Sequence, residues 1–171
     1  MRIHAVVPDW LVADDEIERP VVGGVLHGDF EVWDASWTYE PVAGCSVRLM
    51  GHDPEGRPES ELVGIARLLP DRELYGFFVD TGEVCAYVYT GPYEADDGPI
   101  SARPQPIDGE HVAVRGTLGF APEYVAEGTF VPLRALDGRP DAETFVPTWS
   151  VIVVEQHPIG SWHVEIEATG A

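Results

Sequence analysis

The residues with the widest chemical reach lie in "EQHPIGSWHVEIE", from Glu155 to Glu167. Side chains alternate along a strand, so Glu155 and His157 share one face, and His163 and Glu165 share one face of the strand that follows. Two imidazoles and two carboxylates on one surface would suit a divalent cation such as zinc, manganese or iron. The loop between the strands decides whether they meet. A five-residue loop, Pro158 to Trp162, sets His157 against His163 and Glu155 against Glu165. A four-residue loop, Pro158 to Ser161, sets His157 against Trp162 and disperses the set. Both registers pair apolar residues, so the pattern leaves the choice open. The plainer reading is a solvated polar face near a hairpin tip.

A second group is aromatic. Trp33 and Trp37 stand among acids in "EVWDASWTYE", and Tyr93 lies in a later loop. An aromatic, anionic surface would receive a cationic ligand or an arginine-rich protein. Core packing is the competing reading, because tryptophan also anchors β cores. The remaining histidine–aspartate neighbours, "HGD" at His27 to Asp29 and "GHD" at Gly51 to Asp53, do not form catalytic pairs on a strand, since adjacent residues face opposite sides. Asp53 before Pro54 is ordinary turn chemistry. The sequence holds no nucleophile elbow, phosphate-binding glycine loop or zincin helix motif.

The elements that must position these residues are strands. Period-two alternation runs through "RIHAVV" from Arg2, "GGVLHGDFEVWDASW" from Gly23, "CSVRLMG" from Cys45 and "ELVGIARLLP" from Glu61. "ELYGFFVDTGEVCAYVYTG", Glu73 to Gly91, is two aromatic runs around a hairpin signal at Asp80 to Glu83. Gly91 to Asp108 has no periodicity and reads as a long loop, a candidate lid. Strand pattern resumes at "HVAVRGTLGF", at "GTFVPLRAL" from Gly128, and in the two C-terminal strands. No segment carries an amphipathic helical stripe. With 44% hydrophobic residues and 171 residues in all, the chain can bury a sizeable core as one all-β domain, a barrel or sandwich of about nine to eleven strands.

The order "LVGIARLLP", "LYGFFVDTGE", "VCAYVYTG", long connection, "GEHVAVRGTLGF" resembles an OB-fold barrel over about residues 61–120. Gly109, Val112, Val114 and Gly116 match the late strand of that pattern. Gly64 and Gly116 would serve where a strand bends between two sides of a small barrel. The helix usual between the third and fourth strands is absent, and extra strands are expected at both ends. The resemblance implies an antiparallel barrel, closed or partly open, and a face that stacks ligands on aromatics. It implies no catalytic residue.

Charge argues against nucleic acid on such a face. There are 10 basic residues against 30 acidic, a net charge of −20. All ten are arginine, which suits a high-GC bacterial genome. Single-strand binding leans on neutralising phosphates, so the expected partner is instead a protein with a basic surface. The reading is therefore a non-enzymatic acidic binding module with a regulatory, inhibitor or immunity-like role. A metal-dependent enzyme or small-molecule binder built on the C-terminal hairpin is the alternative, and an assembly subunit using strand edges is a third. No cofactor is expected unless the hairpin holds a metal. With no secretory leader pattern and no apolar span, a cytoplasmic location with no membrane role is expected. Cys45 and Cys85 are then expected as buried free thiols.

Overall fold

The computed structural model describes residues 1–39, 44–68, 76–90, 94–95, 98–99, 105–121, 148–158 and 160–169. They are mostly strand, with almost no helix. In chain order the elements are β1 (Arg2–Pro8), α1 (Asp9–Ala13), β2 (Val25–His27), β3 (Phe30–Tyr39), β4 (Ser46–His52) and β5 (Pro58–Arg67). Then follow β6 (Gly76–Asp80), β7 (Cys85–Tyr89), β8 (Glu94–Ala95), β9 (Gly98–Pro99), β10 (His111–Phe120), β11 (Thr148–His157) and β12 (Ser161–Ala168). The strand expected around Gly128 to Leu136 lies outside the described residues. The short helix α1 was not legible in the pattern. Among the described residues no helix is long and apolar enough to cross a membrane.

Five strands close a ring in the order β5–β6–β7–β3–β10, and β10 returns to β5. The β6–β7 hairpin turns where Thr81 and Val84 exchange hydrogen bonds, with Gly82 at φ +81°. All ring pairs are antiparallel except β3 with β7. Gly64 sits where the Asp80 backbone crosses β5, and a methyl group there would overlap the Asp80 carbonyl. Val112 and Val114 are fully buried in the ring.

One edge of β10 is shared between two partners. Its other edge is filled by β3 from Val112 to Phe120. On the shared side β5 pairs from His111 to Thr117, and β1 takes over in parallel at Gly119. Beyond β1 lie β12, β11 and β2, a four-stranded extension of the same sheet. Strand β4 pairs with β5. A single hydrophobic cluster runs under ring and extension alike. Phe30 joins them, with its ring 4.8 Å from Phe120 and 5.0 Å from Trp149.

A bulge in β3 changes which way its side chains point. Asp34 has φ +53°, and the pairing with β10 slips between Arg115 and Thr117, opposite Gly116. Two residues of β3 there face one of β10, which reverses the alternation. Phe30 and Val32 point inward before the bulge; Ala35 and Trp37 pack on the core after it. Both cysteines are free thiols, but Cys45 is exposed and Cys85 only half-buried, contrary to the expectation of two buried thiols.

Candidate functional site

Reversal of β3 separates the two tryptophans that the sequence places together. Trp37 turns to the core and meets Phe77 edge-on at 5.5 Å. Trp33 stays on the outer face of the ring. Tyr93 lies outside the described residues. In place of a tryptophan pair, the outer face gathers Trp33 with Asp29 and Glu31, which alternate with the inward Phe30 and Val32. Glu31 lies opposite Tyr87 of β7 on one side and Gly119 of β10 on the other. Tyr87 in turn lies opposite Phe78 of β6, their rings 5.4 Å apart.

Glycine makes room for the aromatics. A methyl on Gly119 would run into the indole of Trp33. A methyl on Gly76 would come within 2.5 Å of the Tyr87 hydroxyl. The Trp33 indole N–H donates to the Glu31 carboxylate, and Tyr87, Phe78 and Thr117 are buried. Tyr89, further along β7, is exposed.

The carboxyls on this face are electrostatically unbalanced. Burial pushes Asp29 up to about 7. Burial also raises Glu31, with the Trp33 hydrogen bond opposing it. Tyr87 is pushed up to about 12, first by burial and then by Tyr89 and Glu31. A nearby cation would hold carboxyls low. Among the described residues, most arginines serve carboxylates elsewhere, while Arg67, opposite Phe78 at the far end of the Phe78–Tyr87–Glu31 row, has a buried Nε with no hydrogen-bond partner. Arg48 and Arg115 both bind Glu61, which lies between them on the middle strand. Arg57 bridges Asp53 and Asp34 at 2.7 and 2.8 Å. Arg2 holds Glu165 at 2.8 Å, and Arg19 lies 5.9 Å over the Trp162 ring.

The C-terminal hairpin adopts neither expected register. Its connection is three residues, with His157 opposite Ser161 and Glu155 opposite His163. Gly160, at φ +85°, occupies the left-handed position that such a loop requires, and its N–H donates to the His157 carbonyl at 3.1 Å. A second slip between Val151 and Val153 compensates further down, so Val153 lies opposite Glu165. Glu155, His157, His163 and Glu165 therefore share a face, with Glu155 opposed to His163 and the two histidines and the two glutamates set diagonally. The two imidazoles stack, centroids 4.8 Å apart and planes 29° from parallel. Among the described residues no group of three or more His, Cys, Asp or Glu side chains is placed to hold a metal ion.

Glu31 belongs to the anionic aromatic stretch read in the sequence, whereas Asp29 is not singled out there, although "DFEVW" has the alternation that puts both acids on the Trp33 side. No family model, no curated protein and no solved structure matches the chain.

Proposed function

We propose that this chain is a non-catalytic binding module that docks a basic protein, and that the outer face of its ring receives a basic side chain of that partner. The carrying observation is Asp29 and Glu31 beside Trp33 and Tyr87, with both carboxyls raised by burial. A guanidinium or ammonium group placed there would ionise the carboxyls and lie against an indole face.

The ring supports an OB-like reading. With β5, β6, β7 and β10 as its first four strands, the fifth place falls to β3, which precedes them in the chain and runs parallel to β7. OB barrels bind on the face of their second and third strands, here β6 and β7 with Phe78 and Tyr87. Proteins that hold single strands combine such aromatics with basic grooves. This face carries Asp29 and Glu31 against the single Arg67 at the β5 end of the row, a balance that favours a cation and disfavours phosphate. An inhibitor, regulatory or immunity-like role is the biological form that fits an anionic module of net charge −20.

An arginine-rich peptide titrated calorimetrically into the protein tests this. Affinity is expected to fall steeply with salt, and Glu31→Gln is expected to weaken binding more than Glu83→Gln, in the β6–β7 turn. Equal losses in the two variants would sink the assignment of the face. Tight binding of a single-stranded oligonucleotide would sink the choice of partner.

A further inference from the structure

Where the shared edge of β10 passes from β5 to β1, three strands deliver imidazoles to one place. His157 comes from β11, His163 from β12 and His52 from the end of β4. The β4–β5 turn closes over the stacked pair. Its Gly56, at φ +82°, lies so near that a methyl there would be 3.3 Å from His157 Nε2. His163 Nε2 is buried with no hydrogen-bond partner among the described residues. Val6 of β1, the residue opposite His163, is fully covered. The turn holds its own shape independently: Asp53 accepts from the N–H groups of Glu55 and Arg57, both at 2.9 Å, and from the Arg57 side chain.

The charged and titratable groups around His163 come from every neighbouring element. Glu165 shares its face on β12, and Ser161 lies beyond. From β11 come His157 and, directly opposite, Glu155. From β1 comes His4, opposite Glu165. From β4 and its turn come His52 and Asp53. Two of the three carboxylates are already engaged, Asp53 by Arg57 and Glu165 by Arg2. Glu155 is left as the carboxylate across the strand pair.

We infer that the His157–His163 stack is a proton-operated latch that closes the β11–β12 hairpin tip onto the β4–β5 turn. Neutral imidazoles stack; protonated ones repel at the same spacing. Burial first, then His157 and His52, hold His163 below its ordinary value of 6.5. The sign follows. A histidine depressed in the closed form binds its proton more readily when open, so closure is favoured above about 6.5 and weakens as pH falls below it.

Amide hydrogen exchange of the full chain between pH 8 and pH 5, corrected for the intrinsic rate, tests the latch. The expected result is that Gln156 and Ser161 at the hairpin tip lose protection together by roughly tenfold or more, a shift of about 1.4 kcal/mol, while Glu55, whose N–H bonds within its own turn, does not. Phe77 and Val79 in the ring keep theirs. The loss should follow the imidazole proton resonance of His163. His163→Gln, which cannot take a proton, should abolish the pH dependence; His157→Gln, which removes the repelling partner and leaves His163 buried, should reduce it. Glu155→Gln should move the transition to lower pH, because it removes the carboxylate that favours the imidazolium. Protection that is unchanged down to pH 5, or that falls in His163→Gln as it does in the parent, or that falls undiminished in His157→Gln, overturns the inference.

Discussion

Asp29→Asn separates the electrostatic penalty on the outer face from its shape, because asparagine keeps the outline and removes the charge. The carboxyl stands at about 7 against an ordinary 3.8. A group raised on folding contributes its full stability below the unfolded value and loses it as pH rises through the folded one. The loss therefore runs from about pH 4 to pH 7. It spans about three pH units at about 1.36 kcal/mol each, up to about 4 kcal/mol for this partly exposed group. The asparagine variant has no such loss. Urea unfolding of both proteins at pH 4.5, 6 and 7.5 should show the variant gaining on the parent by an amount that grows with pH and then levels. Every other carboxyl titrates in both proteins and cancels in the difference. A difference that is flat with pH, or that grows toward acid, would refute the argument that burial governs this carboxyl. The same logic reaches the partner: a cation docked on Asp29 would eject a proton near neutral pH, so the heat of peptide binding should depend on the buffer.

Gly64→Ala should cost more than about 3 kcal/mol or prevent folding, because the added methyl meets backbone of Asp80 and Thr81 rather than a movable side chain; thermal unfolding measures it. Gly119→Ala should lift the Trp33 indole from its seat, costing about 1–3 kcal/mol and shifting tryptophan fluorescence. Glu61→Gln should cost about 1–2 kcal/mol at neutral pH, since its two arginines remain half in water. The Arg115 hydrogen bond leads in holding the Glu61 carboxyl low. That stabilisation is present above about 4.5 and is lost as pH falls through the depressed value, so parent and variant should converge in acid denaturation curves.

Local pattern revealed the strands and hid the irregularities. Val112 and Val114, Phe77 and Val79, and Thr81 with Val84 at the β6–β7 turn all follow from alternation and turn chemistry. The bulge at Asp34 does not, because nothing in "WDASW" announces that one aspartate takes a left-handed backbone; that residue separates Trp33 from Trp37. The C-terminal hairpin shows the same limit. Its three-residue loop needs a left-handed Gly160, and its slip near Ile152 restores the apolar pairing that a simple count demanded elsewhere. The His52 approach to His163 joins residues far apart in the chain, and no short window holds it. Glu61 with Arg48 and Arg115 became visible only once β4, β5 and β10 were side by side.

The division of one β10 edge between β5 and β1 governs the order in which this molecule can be made. Strand β3 leaves the ribosome long before β10 exists to pair with it, and β5, β6 and β7 emerge into the same wait. Until His111–Phe120 is delivered, the nascent chain carries strands whose backbone groups on the β10 side are unmatched, the condition under which chains associate with one another. When β10 arrives it closes the ring, and β1, which meets β10 at Gly119, completes its pairing only when β12 follows. The long separations involved set a slow entropic search. A truncation before β10 should therefore be found in aggregates rather than as a smaller folded protein, and the dense negative charge of the chain serves, during that interval, to keep neighbouring polypeptides apart.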